Sequence, residues 1–144
     1  MRRTLSIAAL IAVAALGLAA PGHAEDKKMS MGKPVIVTGT LIDTKCFSMD
    51  KRNKGTDHVT MHGDMKDCAK ICAGLGIPVA VLTAQGKAWT LVTPAKDLVA
   101  YMGQNTRVTG TKVYDGSQIR PDKIEVKDAS GKWTEVKITM PMPM

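Results

Sequence analysis

Aromatic residues are scarce in this 144-residue chain, since two tryptophans, two tyrosines and one phenylalanine make up 3% of it. A basic protein that binds single-stranded nucleic acid by stacking needs a platform of aromatic side chains. Lysine and arginine exceed the acidic residues by a formal net charge of +7, but so few rings do not provide that platform. We therefore expect the basic residues to form a solvated surface, and we expect no nucleic-acid partner.

Long apolar runs are also lacking after residue 24. Residues 1–24 begin with Arg2 and Arg3, continue with an apolar stretch and end in Gly-His-Ala, which is typical of a cleavable secretory signal peptide. No later stretch approaches the roughly 20 apolar residues that cross a bilayer. We therefore expect a soluble, periplasmic or secreted protein with no membrane span.

Motifs of the common enzyme classes are missing as well. The sequence has no Cys-x-x-Cys pair for thiol redox chemistry and no Cys-x-x-Cys-His for covalent haem. It has neither a phosphate-binding glycine loop nor a Gly-x-Ser-x-Gly nucleophile motif. We therefore expect a binding protein and not an enzyme.

The length allows about one domain. After the signal peptide, residues 25–33 are polar and rich in methionine and lysine, and we interpret them as a flexible lead-in. The fold is expected to occupy residues 34–139. Residues 140–144 alternate methionine and proline and form a tail, because proline cannot enter the interior of a sheet.

β-Branched and apolar runs between turn residues predict six strands. They lie at residues 35–43, 77–83, 88–93, 106–114, 119–127 and 133–139. Two short helices are predicted at residues 65–73, with Asp64 as N-cap, and at residues 94–102, which begin with proline. Residues 47–63 show no sustained periodicity and predict a long loop.

A helix between the third and fourth of five antiparallel strands is the order of the OB-fold, a small and partly open Greek-key barrel. We therefore expect a mainly β, OB-like barrel of five to six strands. Residues 46–76 are its insertion, and they hold the long loop and a short cysteine-bearing helix.

Three cysteines are an odd number, so they cannot all pair within the chain. Cys46 is expected at the end of the first strand, and Cys68 and Cys72 lie four residues apart on the predicted helix. At that spacing the Cβ atoms are about 5–6 Å apart, whereas a disulfide needs about 3.8 Å. With His62 from the loop, the three cysteines predict a Cys3His metal site that suits zinc or copper(I).

Three neighbouring residues are possible additional ligands: His58, Met61 and Met65. Thioethers select copper(I) over zinc. The predicted function is therefore the binding of a thiophilic metal ion for buffering, delivery or structure. A protein of the cell envelope is a possible partner.

In strand order and ligand types, the sequence loosely resembles periplasmic copper(I)/silver(I) chaperones built on small OB-fold barrels, which use a histidine, methionines and a tryptophan. The resemblance implies that Met61, His62, Met65 and Trp89 take those parts. The three cysteines depart from the pattern of that family.

Two other interpretations stay open at this point. Met65, Cys68, Cys72 and Leu75 have the spacing of a core-facing helix stripe, and free cysteine is an ordinary core residue. Alternatively, Cys46 forms a disulfide with Cys68 or Cys72. In that case the protein is a disulfide-braced, OB-like binding module of the cell envelope that holds no metal.

Overall fold

The computed structural model describes residues 34–113 and 116–139. The predicted signal peptide, the lead-in and the tail at 140–144 lie outside these residues. In chain order the elements are β1 Pro34–Asp43, α1 Thr44–Met49, β2 His58–Thr60, β3 Gly63–Met65, α2 Cys68–Gly74, β4 Val79–Leu82, β5 Ala88–Leu91, a 3₁₀ helix Ala95–Tyr101, β6 Asn105–Val113, β7 Gln118–Lys127 and β8 Trp133–Val136.

Five strands form a ring. β1 pairs antiparallel with β4 on one side and with β6 on the other. β4 in turn pairs antiparallel with β5, and β6 pairs antiparallel with β7. β7 then pairs in parallel with β5 through Thr90↔Gln118 and Leu91↔Ile119. Because this closure is so short, the sheet is ring-like and is not a continuous barrel. The predicted mainly β fold class is confirmed, with a ring-like sheet in place of the predicted barrel.

The main core is built largely from aliphatic side chains of β1, β4, β6 and β7. Fully buried examples are Leu41, Val81, Val108 and Ile124. The 3₁₀ helix contributes Leu98, which is also fully buried. Burial alternates along β6 and over most of β7, as expected of strands with one face on the core, whereas all four residues of β4 are buried.

The insertion differs from its prediction, because residues 47–63 are not one long loop. Its first residues belong to α1, and β2 and β3 form a small hairpin in which His58 pairs with Met65 and Thr60 with Gly63. The hairpin uses Asp64 and Met65, so the following helix starts later than predicted. α2 begins at Cys68, with Asp67 and not Asp64 as its N-cap.

α2 docks on the core through two alanines. Ala69 and Ala73 are fully buried and belong to the main core, and at four residues apart they lie on one face of the helix. Leu75 is 76% exposed and Met65 is 40% exposed. The stripe of residues 65, 68, 72 and 75 is therefore not the core-facing stripe. The small alanines let α2 pack closely against the 3₁₀ helix and β1.

Candidate metal centre

Cys46 lies in α1, directly after β1. Asp43, the last residue of β1, caps this helix, and its Oδ1 accepts a hydrogen bond from the backbone N–H of Cys46 at 2.8 Å. Such a bond satisfies one of the free N–H groups at a helix start. The chain therefore turns from strand to helix before Cys46, which lies inside the helix and not at the end of the strand as predicted.

The thiols of Cys68 and Cys72 both lie close to the thiol of Cys46. Its Sγ lies 3.7 Å from Sγ of Cys68 and 4.0 Å from Sγ of Cys72. Cys68 is only 3% exposed, and the other two cysteines are half-buried. With zinc-to-sulfur bonds of about 2.3 Å, two sulfur ligands of a tetrahedral zinc ion lie about 3.8 Å apart. The observed separations therefore match those of sulfurs that share one ion.

All three cysteines are free in the described part of the chain. The sulfurs of a disulfide are about 2.05 Å apart, so neither separation corresponds to a covalent bond. The structure thus shows a cluster of thiols where the alternative interpretation expects a disulfide.

His58 is the first residue of β2. It lies next to the thiols of Cys46 and Cys68 and is 2% exposed. Its Nε2 lies 3.1 Å from the backbone carbonyl oxygen of Gly55. A carbonyl only accepts hydrogen bonds, so Nε2 carries the hydrogen, and in the neutral ring the lone pair is on Nδ1. A backbone carbonyl that fixes the tautomer in this way is the usual second partner of a metal-binding histidine.

The other ring nitrogen of His58, Nδ1, faces the buried carboxylate of Asp43. It lies 3.3 Å from Oδ2 of Asp43, and neither side chain has any exposed surface. Both atoms lack a hydrogen-bond partner among the described residues, although they are within ion-pair distance. Two buried lone pairs that face each other require a cation between or beside them, either a proton or a metal ion.

These groups form two overlapping sets of three potential ligands. One set is Cys46, His58 and Cys68, and the other is Asp43, Cys46 and Cys72. Within each set the ligand atoms lie within 4.8 Å of one another. Cys46 belongs to both sets and is the centre of the cluster.

The environment keeps the thiols of Cys46 and Cys72 protonated in the absence of an ion. Burial raises the pKa of Cys46 far above its ordinary value, and the hydrogen bond with Cys68 and the charge of Asp43 add to this effect. Burial also raises the pKa of Cys72, with the charge of Asp43 as the next cause. A cation that binds here must therefore displace protons.

Asn53 joins the two segments that carry Cys46 and His58, and it is 4% exposed. Its Nδ2 donates to the carbonyl oxygens of Cys46 and Val59, and its Oδ1 accepts the N–H of Val59 at 2.9 Å. Three hydrogen bonds from one buried amide hold β2 against α1 and so fix the position of His58.

A groove of about 310 Å³ leads from the thiols to the surface. Besides the three cysteines, its lining includes Met49, Met61, His62 and Met65. Met49 is 67% exposed and Met61 is 86% exposed, so these thioethers stand at the mouth of the groove. The methionines of the insertion thus line the same groove as the thiols and lie on its solvent side.

The predicted ligands separate into two groups. The three cysteines come together with His58, whereas His62 is exposed at the groove rim and is outside both ligand sets. Trp89 is on β5, where Lys87 Nζ lies 3.9 Å from the centre of its ring, and it does not contribute to the described lining of the groove.

Sequence reasoning missed Asp43 and Asn53. The signal for Asp43 was present, because an aspartate three residues before Cys46 has the spacing of an N-cap to the third helical residue. No comparable local pattern marks Asn53, whose partners are set by the packing of α1 against the hairpin.

Comparison of the chain with protein-family models, with curated proteins and with solved structures gives no match in any of the three. Among the described residues, no helix is long and apolar enough to cross a membrane. The function therefore has to be inferred from the geometry of this chain.

Proposed function

We propose that this protein binds a thiophilic transition-metal ion, zinc or copper(I), with the thiolates of Cys46, Cys68 and Cys72 and with Nδ1 of His58 as ligands. One observation carries the proposal. A buried imidazole nitrogen without a hydrogen-bond partner lies beside a cluster of three free thiols, and the sulfur of Cys46 lies as far from the sulfurs of Cys68 and Cys72 as two sulfur ligands of one ion lie from each other. Three sulfurs and one nitrogen form a Cys3His set, which is a common zinc site and also suits soft ions.

The free energy of the site supports an ion over simple packing of thiols. A buried polar group without a partner costs about 1–3 kcal/mol, and here Nδ1 of His58 and Oδ2 of Asp43 are both in this state. A cation removes the repulsion between the two lone pairs, either a proton held between them or a metal ion bound to Nδ1 with Asp43 as a neighbouring negative charge. An apolar side chain in place of His58 fills the same space without this cost, so packing alone does not account for the histidine.

The position of the site supports an exchangeable ion. Structural zinc sites are closed, whereas sites that react or exchange keep one side open. Cys46 and Cys72 are half-buried, and both line the groove to the surface. We therefore favour buffering or delivery of the ion over a purely structural role. The pattern of residues 1–24 supports an exported protein, in which case a metal donor or acceptor of the cell envelope is the partner.

The experiment is reconstitution of the purified, reduced chain with zinc or copper(I) in the absence of oxygen. Bound metal is measured by elemental analysis, and free thiols are titrated before and after chelation. We expect bound metal and thiols that become reactive only after the metal is removed. A metal-free protein whose thiols react at once contradicts the proposal.

His58 and His62 provide a matched pair of variants, because both are in the hairpin but only His58 is buried against the thiols. Loss of a neighbouring hydrogen-bond partner alone weakens metal binding by about 10–100-fold, so His58→Asn is expected to weaken zinc binding at least that much. His62→Asn should keep the affinity within about threefold of the original value. Equal effects of the two substitutions contradict the assignment of His58.

A further inference from the structure

Cys46 occupies the central position of the cluster. The two ligand sets share Cys46 and no other residue, since His58 and Cys68 belong to one and Asp43 and Cys72 belong to the other. The sulfurs of Cys68 and Cys72 are both near Cys46, at 3.7 and 4.0 Å. A thiolate sulfur has more than one lone pair and can bridge two metal ions, so this arrangement provides two half-sites with a common sulfur.

The groove supplies the ligand that the second half-site lacks. The carboxylate of Asp43 is a hard oxygen ligand and is engaged with the N–H of Cys46, so it suits a soft ion poorly. On the solvent side of Cys46 and Cys72, the same groove is lined by the thioethers of Met49, Met61 and Met65. Thioethers are ligands for copper(I) and not for zinc.

We propose that the chain binds two copper(I) ions that share the thiolate of Cys46. The inner ion is bound by Cys46, Cys68 and His58, and the outer ion by Cys46, Cys72 and a thioether of the groove. Zinc, which does not use the thioethers, binds only once. This inference rests on the proposed function, because it assigns the same thiols to a second ion.

The test is the number of copper(I) ions per chain, measured by native mass spectrometry of reduced protein titrated with copper(I) against a competing chelator. Silver(I), which does not change its oxidation state, is titrated in parallel. We expect two ions for the unchanged chain, one for Cys68→Ser, one for Cys72→Ser, and none held against the chelator for Cys46→Ser. Zinc is expected to bind once to the unchanged chain.

A triple variant that keeps every thiol tests the outer site separately. Met49→Leu, Met61→Leu and Met65→Leu together keep apolar volume at the groove mouth but remove the thioethers. We expect this variant to lose the second copper(I) ion to the chelator while its zinc affinity stays unchanged. Circular dichroism of each variant establishes that it is folded.

Failure of this inference differs from failure of the proposed function. Saturation of the unchanged chain at one copper(I) ion, with all three cysteines needed for it, overturns the shared-thiolate arrangement but leaves the proposed function standing. Binding of two ions by the triple methionine variant at unchanged affinity also overturns the assignment of the outer ion. A chain that binds neither copper(I) nor zinc contradicts the proposed function itself.

Discussion

Nδ1 of His58 lies 3.3 Å from Oδ2 of Asp43, and both side chains are completely buried. The other oxygen of Asp43 accepts the N–H of Cys46. One carboxylate therefore contacts both the helix that carries the central thiol and the histidine behind it. This relationship links the end of the first strand to the candidate metal centre, and it leads to the first prediction.

Asp43→Asn and Asp43→Ala should have different effects on stability. Asparagine keeps an oxygen for the N–H of Cys46 and gains an amide donor for Nδ1 of His58, so we expect the metal-free variant to stay within about 1 kcal/mol of the original stability. Alanine leaves the N–H of Cys46 without its helix cap, which costs about 0.5–2 kcal/mol. Urea unfolding of both metal-free variants measures the difference. Equal losses contradict the assignment of Asp43 as cap and acceptor.

Metal affinity should also fall in Asp43→Asn. Its amide N–H occupies the lone pair of Nδ1 that a metal ion needs, and the variant removes one negative charge beside the thiols. We expect zinc binding to weaken by about 10–100-fold, measured by competition with a chromophoric chelator. Unchanged zinc affinity in a correctly folded variant indicates that Nδ1 of His58 is not a ligand.

Asn53→Ala should weaken both the fold and the metal centre. The substitution removes the hydrogen bonds that hold β2 against α1, and leaves the N–H of Val59 without its partner. A buried unpaired group costs about 1–3 kcal/mol, and His58 is no longer fixed. Asn105→Ala is the control, because Asn105 is exposed. A loss of stability that is the same in both variants contradicts the role given to Asn53.

Metal binding should become tighter as the pH rises. Burial raises the pKa values of Cys46 and Cys72, so both thiols are protonated at neutral pH and each proton must leave when the ion binds. At a pH below these pKa values, every displaced proton adds about a tenfold gain in affinity per pH unit. Calorimetry in two buffers of different ionisation enthalpy measures the protons released. Affinity that does not change between about pH 6 and pH 8 contradicts this.

Gly39→Ala should destabilise the sheet on which the site is built. A Cβ atom at this position would lie 2.1 Å from the carbonyl oxygen of Leu82 on the paired strand β4, so the strands must separate. Overpacking of this kind typically costs about 1–3 kcal/mol. Gly74→Ala at the end of α2 is the control, because nothing lies within 4 Å of its Cβ position. Similar unfolding midpoints for the two variants contradict the close approach of β1 and β4.

Much of the fold can be predicted from the sequence because its strands show clear patterns. In β6 and β7 buried residues largely alternate with more exposed ones, and turn residues lie between the two strands. The order of residues in the sequence therefore marks both strands. The parts that were missed are short or depend on contacts. α1 has six residues, which is too short for a helical period, and the β2–β3 hairpin is largely exposed and polar, so it has no hydrophobic pattern.

The site was predictable in its thiols but not in its histidine. Cys68 and Cys72 are four apart on a helix, and this spacing alone places both on one face. His58 and His62 are in the same segment and are equivalent by composition. The hairpin distinguishes them, since His58 pairs with Met65 inside the hairpin while His62 is in its turn. Export remains a prediction from the sequence.

The central claim is that the three thiolates and His58 bind the same ion. X-ray absorption spectroscopy of the zinc-loaded protein tests it most directly, because it gives the number, type and distance of the ligand atoms. We predict three sulfur atoms at about 2.3 Å and one nitrogen at about 2.0 Å, with loss of the imidazole signal in His58→Asn but not in His62→Asn. A zinc ion with fewer than three sulfur ligands, or an imidazole signal that persists in His58→Asn, would contradict it.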